Sequence, residues 1–434
     1  MLEAKQESEA KTLFMRGKAE TVVWTERMLA ALVSGVKGGK WFSLWDKVWR
    51  SSTLERAWEL VSKNKGAGGV DGVTIERFKG MKDRCLIELQ EALRDGSYKP
   101  EAVRRVYIPK GDGTQRPLGI PCVKDRIVQA AVKMTLEPIF EQDFLSMSYG
   151  FRPGLGAKDA LREVDELLKG GSVWVVDADV QKYFDSIPKD RLMERVRARI
   201  ADGKILDLVQ AFLDQAIIEE CKSWTPDKGT PAGAVLSPLL ANIYLHDLDV
   251  LMTSKGYRMV RYADDFVTLC NTEDEANKAL AEVRQWMVEN GLTLHPDKTR
   301  IGNCTIEGEG FEFLGYRFEC GNRRVRKTSM KKLRDTIRKR TKRAVGQSME
   351  SVIKSLNPTL IGWFGYFKHA HRWTFSGIDG FVRRRLRAIL RKQDKRPGMG
   401  RCFNDHKQWP NSFFATLGLF TMKEAHAELA SRPR

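Results

Sequence analysis

The stretch YRMVRYADDFVTL, residues 257–269, decides the fold because two apolar runs flank an adjacent pair of acids. The runs 257–260 and 266–269 have the composition of paired strands, so the residues between them are predicted to form a hairpin turn. This arrangement brings Asp264 and Asp265 together at the tip of the hairpin. The stretch therefore predicts a candidate metal site held by a rigid turn.

A second pair of acids lies upstream in VWVVDADV, residues 173–180, which has the pattern of a buried strand. Side chains alternate along a strand, so Asp177 and Asp179 point to the same face. Phosphoryl transfer between nucleotides uses Mg²⁺ ions in pairs, and these need hard oxygen ligands on rigid elements. A strand carboxylate beside the hairpin pair meets that need. The two stretches together predict the palm of a nucleotidyl-transferring enzyme.

The chain has 434 residues, of which 42% are hydrophobic, enough for two or three globular domains. A membrane helix requires an apolar run of about 18 residues, and the sequence has none. Its early residues also lack the apolar core of a signal peptide, which predicts a cytoplasmic protein without a membrane partner. The cysteines are scattered and form no C-x-x-C pair, which argues against disulfides and a zinc site.

The net charge of +18 is concentrated in residues 321–400, which hold 23 Lys and Arg against 4 Asp and Glu. A solvated charged face has both signs interspersed, whereas acids are nearly absent here. Each phosphate that a cationic side chain neutralises releases counterions and so favours binding of a polyanion. The block therefore predicts a nucleic-acid partner.

Two basic helices are predicted inside this block from apolar residues at helical spacing. Met330, Leu333 and Ile337 mark the buried side of the first helix. The second spans about residues 378–392, and its predicted inward residues are Phe381, Val382, Leu386 and Ile389. The cations predicted to face outward are Lys331, Lys332, Arg338 and Arg340 on the first helix and Arg383, Arg384, Arg385 and Arg387 on the second.

An aromatic segment, GWFGYF at residues 362–367, lies between the two basic helices. Its rings can pack between helices or stack on bases. Packing in the core is the favoured interpretation because large aromatic side chains are mostly buried.

A second hairpin is predicted from strands at residues 103–109 and 116–120, with the glycine-bearing turn 111–113 between them. It carries Lys110 and Arg116. Two cations on a flexible hairpin can close over a triphosphate, and a basic surface turn is the alternative.

Phe184 follows the acidic strand closely. A bulky ring beneath the nucleotide sugar would collide with a 2′-hydroxyl and favour deoxynucleotides, and an ordinary core Phe is the alternative. Further along, the loop GTPAGAVL, residues 229–236, enters a helix at Ser237-Pro238, where Ser is a good N-cap and Pro suits the first helical position.

Six motifs, in this order, resemble those of bacterial group II intron reverse transcriptase/maturases. They are KGAGGVDG (65–72), YIPK (107–110), RPLGIP (116–121), SYGFRPG (148–154), YADD (262–265) and FLGY (313–316). The resemblance covers about residues 54–400. It implies an α+β right-hand polymerase whose fingers and palm contain an antiparallel sheet plus helices, followed by an all-helical thumb/maturase domain.

The resemblance also implies domain limits and site roles. The expected domains are an amino-terminal helical extension at 1–50, fingers and palm at 51–324, a thumb/maturase domain at 325–400 and a tail at 401–434, without an HNH endonuclease. Asp179, Asp264 and Asp265 match the catalytic, Mg²⁺-binding aspartates, whereas Asp177 is outside that set. Lys110, Arg116 and Phe184 match dNTP-binding residues, and Lys298 matches a possible general acid for the leaving pyrophosphate. The cations of the two basic helices are then expected to bind intron RNA.

One departure concerns the loop TPAGAVLSP, because the family usually has Gln at the position of Ala232 and Gly at that of Ala234. The missing amide would line the dNTP pocket. Its loss is expected to weaken dNTP binding by about 1 kcal/mol, the value of one hydrogen bond.

The leading hypothesis is an RNA-directed DNA polymerase that also helps its host intron to splice and to insert at a DNA target, whose 3′ hydroxyl is the primer. A second hypothesis is an RNA-binding splicing factor with a weak or silent polymerase domain, which Ala232 favours. A third is a domesticated reverse transcriptase in defence, diversification or repair. The basic, maturase-like block argues against the third.

Overall fold

The structure of the protein is a computed structural model that describes residues 19–109, 113–220, 222–343, 346–400 and 402–431. Lys110, predicted to bind a triphosphate, lies outside the described residues. The chain divides into two compact units, Met1–Ile301 and Gly302–Arg434, here named unit 1 and unit 2. In the described part of the chain, no helix combines the length and the apolar character that crossing a membrane requires.

Unit 1 consists mainly of helices around an apolar core. In chain order they are α1 (Glu26–Ser34), α2 (Trp45–Val48), α3 (Ser51–Lys63), α4 (Ile75–Gly80), α5 (Lys82–Asp95), α6 (Val123–Glu141), α7 (Ala157–Lys169), α8 (Tyr183–Ser186), α9 (Lys189–Arg199), α10 (Gly203–Leu213), α11 (Ser237–Ser254) and α12 (Glu273–Glu289). Helix α6 is buried on nearly every side, as is typical of a helix surrounded by others. Helix α3 packs against it, and the buried residues Leu54, Ala57 and Val61 of α3 recur at helical spacing.

The sheet that carries the acids contains strands β3 (Trp174–Asp179), β6 (Arg258–Tyr262), β7 (Asp265–Cys270) and β8 (Arg300–Asn303), in the order β6-β7-β3-β8. Strands β6 and β7 form the predicted hairpin, in which Tyr262 pairs with Asp265. Strand β7 also pairs antiparallel with β3 and sets Asp179 opposite Asp265. The sequence prediction of a strand and a hairpin bearing the acids is confirmed.

A second sheet has the order β2-β1-β4-β5 and contains the predicted basic hairpin. Its strands are β1 (Val103–Pro109), β2 (Gln115–Ile120), β4 (Ile217–Glu219) and β5 (Lys222–Trp224). Strands β1 and β2 are antiparallel, and β4 joins β1 in parallel. The strands β4 and β5 were not predicted, because three residues are too few to show a period.

Unit 2 begins with a three-stranded antiparallel sheet of β9 (Phe311–Phe313), β10 (Tyr316–Glu319) and β11 (Asn322–Val325). Phe313 pairs with Tyr316, so Leu314 and Gly315 form a two-residue turn. Both turn residues have positive φ, 47° and 85°, which matches the twist of a tight hairpin. The Tyr366 hydroxyl donates to the Leu314 carbonyl at 2.8 Å.

The rest of unit 2 is helical. Its helices are α13 (Lys327–Arg340), α14 (Met349–Phe367), α15 (Trp373–Gln393), α16 (Phe403–Gln408), α17 (Asn411–Thr416) and α18 (Met422–Ser431). Helices α13 and α15 are the two predicted basic helices. Phe364 and Phe367 on α14 are buried, which confirms the prediction that these aromatic rings pack in the core.

Two predictions for α15 are wrong. Arg387 does not face outward, because its side chain is buried and donates to the Trp409 carbonyl and to Asn411 Oδ1, both at 2.9 Å. Phe381 does not lie in the core and is only partly buried. A basic residue next to the apolar face can turn inward when backbone oxygens are available there, which helical spacing does not reveal.

Candidate active site

The predicted hairpin turn consists of Ala263 and Asp264, between the paired residues Tyr262 and Asp265. Ala263 has a φ of 61°, a region that L-residues rarely adopt and that costs on the order of 1 kcal/mol or more. Such strain persists only where the surroundings hold the backbone in place. The turn is therefore a precisely held element.

A cavity of about 760 Å³ opens beside this turn within unit 1. Its lining includes six of the residues singled out from the sequence, namely Arg116, Asp179, Phe184, Ala232, Asp264 and Lys298. Asp265 does not border the cavity, although it lies opposite Asp179 in the sheet. The structure thus brings together residues that are far apart in the chain.

Two acids of the cavity, Asp264 and Asp179, have different electrostatic surroundings. Burial raises the pKa of Asp264, and the charge of Asp179 raises it further, whereas Arg116 opposes the shift. Asp179 forms an ion pair with Lys298, with 2.6 Å between Oδ2 and Nζ. The Lys298 side chain is 61% exposed, so this pair is open to solvent and weak.

The carboxylates of the cavity are hard oxygen donors of the kind that bind Mg²⁺. Across the described ranges, no group of three or more Asp, Glu, His or Cys side chains is arranged to hold a metal ion. Asp179 and Asp264 nevertheless border one cavity with the oxygen ligands that Mg²⁺ prefers. One of the Asp179 oxygens is engaged by Lys298. The chemistry of these two carboxylates suits Mg²⁺, although among the described residues they do not form a complete set of ligands.

A buried guanidinium supports the turn. Arg261, fully buried, donates from Nη1 to the carbonyl of Ala263 at 2.9 Å and to Asn242 Oδ1 at 3.0 Å. Its Nε donates to Asp249 Oδ1 at 2.7 Å, and Nη2 donates to the other carboxylate oxygen. Asn242 and Asp249 both lie on α11, so Arg261 ties the turn to that helix.

The segment around Gly150, from the SYGFRPG motif, braces the turn from the other side. Arg261 and the segment exchange backbone hydrogen bonds, from Arg261 N to Met147 O at 2.9 Å and from Tyr149 N to Arg261 O at 2.8 Å. A Cβ on Gly150 would lie 2.2 Å from Ala263 N, so a side chain at this position is sterically excluded. The Gly150 carbonyl accepts from Asn242 Nδ2 at 2.8 Å.

The loop that contains Ala232 connects the cavity wall to the basic hairpin. Gly119 N donates to the Ala232 carbonyl at 2.7 Å, and Thr230 N donates to the Phe184 carbonyl at 2.7 Å. The prediction of Ser237 as the N-cap is wrong by one residue, since α11 starts at Ser237 and Leu236 is the cap. The Ser237 hydroxyl instead donates to the Pro231 carbonyl inside this loop.

Phe184 is half-buried, so it is not the ordinary core residue that was the alternative prediction. Its ring contacts Tyr183, a core residue, with 5.6 Å between the centroids. The same side chain borders the cavity that Asp179 and Asp264 line. The position suits a ring that contacts a nucleotide sugar.

Lys298 is held near Asp179 by a short turn. His295 N donates to the Asp179 carbonyl at 2.7 Å, and Leu294 forms a β-bridge with Val180. The turn then closes with Thr299 N donating to His295 O at 3.0 Å. This anchoring explains how a residue well outside the hairpin reaches the acids.

In unit 2, the remaining predicted RNA-binding cations are distributed over two helices. Lys331, Lys332, Arg338 and Arg340 are exposed on α13. Arg383, Arg384 and Arg385 are partly buried on α15. Arg385 donates to both the hydroxyl and the carbonyl of Thr341, so it also has a structural role.

Sequence reasoning missed the support of the turn and part of the cavity wall. Arg261 left a signal, since a charged residue follows Met259 and Val260 in an apolar strand. Trp224 and Arg105 border the cavity and stack, with 5.5 Å from Arg105 Cζ to the ring centroid. Trp224 left no signal because β5, which carries it, is too short to be recognised.

Comparisons with known proteins agree with this geometry. Residues 108–318 match the family Reverse transcriptase (RNA-dependent DNA polymerase), and residues 330–409 match the Group II intron, maturase-specific domain. The chain is 34% identical to Protein YkfC of Escherichia coli (strain K12) over 59% of the chain and 77% of that protein.

Two longer relatives are matched over a smaller share of their length. The Group II intron-encoded protein LtrA of Lactococcus lactis subsp. cremoris is 35% identical over 49% of the chain and 35% of LtrA. The Putative COX1/OXI3 intron 1 protein of Saccharomyces cerevisiae is 27% identical over 71% of the chain and 43% of that protein. The chain thus spans less than half the length of these two relatives.

Proposed function

Because the chain belongs to the family of group II intron-encoded reverse transcriptases and maturases, we propose that it copies RNA into DNA and helps its host intron to splice and to insert. The proposed route of insertion is target-primed reverse transcription, in which a 3′ hydroxyl of the DNA target is the primer. Its proposed partners are the group II intron RNA, the DNA target and dNTPs. The chain carries both of the domains that this route combines.

The observation that carries the proposal is the shared cavity of Asp179, Asp264 and Arg116. Asp179 and Asp264, with Asp265 beside them, are the proposed ligands of two Mg²⁺ ions. When bound, Mg²⁺ lowers the pKa of the attacking hydroxyl and neutralises charge on the leaving phosphate. Arg116 supplies a forked cation that suits a phosphate group. The cavity is large enough for a nucleotide, since ligand sites measure about 300–1,000 Å³.

Lys298 is proposed to act on the leaving pyrophosphate. Its ammonium group carries a proton at Nζ and lies 2.6 Å from Asp179 Oδ2. When Asp179 turns to a different partner, Lys298 is released beside the same cavity. A freed ammonium there can donate its proton to a phosphate oxygen, as a general acid must.

Phe184 is proposed to select deoxynucleotides. A half-buried ring that borders the cavity has little freedom to move away from a sugar. A 2′-hydroxyl placed against the ring would be desolvated without a hydrogen-bond partner, which is unfavourable. Tyr183 packs against Phe184 and keeps the ring in place.

The basic helices α13 and α15 are proposed to bind the intron RNA. Lys331, Lys332, Arg338 and Arg340 offer exposed charge for phosphates, and Arg383 and Arg384 offer partly exposed charge. Arg387 is excluded from this set because it is buried. Such contacts make affinity fall steeply with salt.

Primer extension on an RNA template with dNTPs and Mg²⁺ tests the polymerase. We expect the native protein to make DNA and Asp264→Asn to make none. DNA synthesis that survives Asp264→Asn would place the chemistry elsewhere. A native protein that makes no DNA under these conditions would refute the polymerase activity.

A splicing factor with a silent polymerase domain is the second candidate. Two observations favour it, namely Ala232 in the cavity wall and the ion pair that engages Asp179. This candidate requires that the native protein promotes splicing of its intron, that it makes no DNA, and that Asp264→Asn leaves splicing unchanged. DNA synthesis by the native protein rules it out.

A further inference from the structure

A second cavity, of about 420 Å³, lies within unit 2 between helices α13 and α15. It is lined by Arg334, Arg338, Gly377, Gly380, Phe381 and Arg384. Its volume is within the range of sites that bind small ligands, about 300–1,000 Å³. The lining is unusual because three guanidinium groups surround a single aromatic ring.

The three arginines converge on Phe381. Their Cζ atoms lie 5.9 Å (Arg334), 5.6 Å (Arg338) and 5.2 Å (Arg384) from the centroid of the ring. Among these three, Arg338 forms an exposed ion pair with Asp335 at 2.6 Å. The positive potential extends to Arg385, where burial and the charges of Arg384 and Arg338 lower the pKa. The cavity is therefore attractive to an anion.

The two glycines leave the helix surface beside the ring open. Gly377, Gly380 and Arg384 recur at helical spacing on the face of α15 that carries Phe381. A Cβ added at Gly377 or Gly380 would meet no atom within 4 Å, so neither glycine is required by close packing. Glycine weakens a helix interior, yet here two of them keep the surface low beside an aromatic ring.

We propose that this cavity binds one unpaired nucleotide of the bound RNA. The base stacks on Phe381, and its phosphates are held by Arg334, Arg338 and Arg384. The inference rests on the proposed binding of RNA by α13 and α15 and makes it more specific, since a continuous basic face would contact only the backbone. In a duplex both faces of each base are covered by neighbours, so only an unpaired base can reach the ring.

Binding of two hairpin RNAs tests the site. One carries a single unpaired 2-aminopurine, and the other is the same hairpin fully paired. We expect the native protein to bind the first more tightly by at least about fivefold, because stacking of a base on an aromatic ring is strong. Stacking should also change the 2-aminopurine fluorescence.

Three variants separate stacking from charge. Phe381→Leu should reduce the preference for the hairpin with the unpaired base to less than about twofold. The salt dependence of binding should not change. Arg334→Gln should weaken binding and lower the slope of affinity against salt by about one ion. Lys332→Gln is the matched control, because it removes one exposed charge of α13 outside the cavity and should weaken both hairpins equally.

Each of the other outcomes overturns the proposal. Equal binding of the two hairpins by the native protein refutes the site while leaving general RNA binding intact, and absence of RNA binding refutes the proposed function as well. A DNA hairpin with the same unpaired base that binds as tightly as the RNA refutes RNA as the ligand. If Phe381→Leu does not fold, photocrosslinking of the native protein through 4-thiouridine at the unpaired position decides, and a crosslink outside residues 334–338 and 377–384 refutes the site.

Discussion

Arg261 donates a hydrogen bond from Nη1 to the carbonyl of Ala263, at 2.9 Å, so a fully buried cation holds the backbone of the turn that presents Asp264. The same guanidinium forms an ion pair with Asp249, which is also fully buried. The geometry of the acids therefore depends on a charge that never reaches the substrate.

Removing this charge should damage both stability and activity. Arg261→Met leaves Asp249 buried without its partner, which costs about 3–5 kcal/mol of unfolding free energy. The double change Arg261→Met with Asp249→Leu removes both charges and should restore most of that stability. Because the turn then lacks its hydrogen bond, we expect primer extension to stay low. The measurements are denaturant unfolding and primer extension, and a double variant that regains normal synthesis would show that Arg261 only stabilises the fold.

Asp264→Asn should abolish DNA synthesis and make the protein more stable at neutral pH. Burial and the nearby charge of Asp179 raise the pKa of Asp264, so the folded state disfavours the carboxylate. A raised acid pKa means that the folded state binds the proton more tightly, so this contribution to stability is present at low pH and is lost as the pH rises. The increase in unfolding free energy that Asp264→Asn produces should therefore grow as the pH rises.

Denaturant unfolding of native and variant protein from pH 5 to 8 measures this difference. Asp83→Asn is the control, because the Asp83 side chain is 88% exposed and its replacement should not change stability with pH in this way. An Asp264→Asn protein that is less stable than the native one at pH 8 would contradict the expectation.

Ala232→Gln should strengthen dNTP binding. Ala232 borders the cavity, and an amide there can form one hydrogen bond worth about 1 kcal/mol, which corresponds to a decrease of about fivefold in KM. Because the acids are unchanged, kcat should stay similar. Ala232→Leu is the control, since it fills the same space without an amide. Equal kinetics for the Gln and Leu variants would show that the amide makes no such contact.

Asp125 should make stability depend on pH between about 4 and 6. Its carboxylate is buried and accepts from the Tyr98 hydroxyl at 2.6 Å and from Glu101 N at 3.0 Å. Burial raises the pKa of Asp125 from its usual value of 3.8 to about 6. The folded state keeps the proton that the unfolded state has released in this range, so this contribution falls as the pH rises, by about 3 kcal/mol. The unfolding free energy of Asp125→Asn, measured across the same pH range, should not decline in this way. If the native and variant proteins lose stability in parallel, the assignment to Asp125 is wrong.

The sequence predicts the parts of the site that follow a period or a turn signal. The acids of β3 and β7 were placed correctly because strand alternation and a hairpin are local patterns. The hairpin of β1 and β2 likewise depends on neighbouring residues.

Other features depend on contacts between distant residues. Arg261 finds Asp249 on a helix 12 positions earlier, and Lys298 finds Asp179 from 119 positions away. Arg387 turns inward because Trp409 and Asn411 offer oxygen atoms there. No local pattern in the sequence specifies these partners, because they are selected only when the chain is folded.

The pairing of β3 with β7 also has a consequence for the order in which the chain folds. Strands β6 and β7 are neighbours in sequence and close a short loop, whereas β3 joins β7 across the helices α8 to α11. Closing a long loop costs more chain entropy, and contacts of high sequence separation form slowly. We therefore expect the hairpin that carries Asp264 and Asp265 to form early. Asp179 should take its place beside them last. The polymerase site would then be completed only after much of unit 1 has folded, so a nascent or partly folded chain would have a hairpin but no working set of acids.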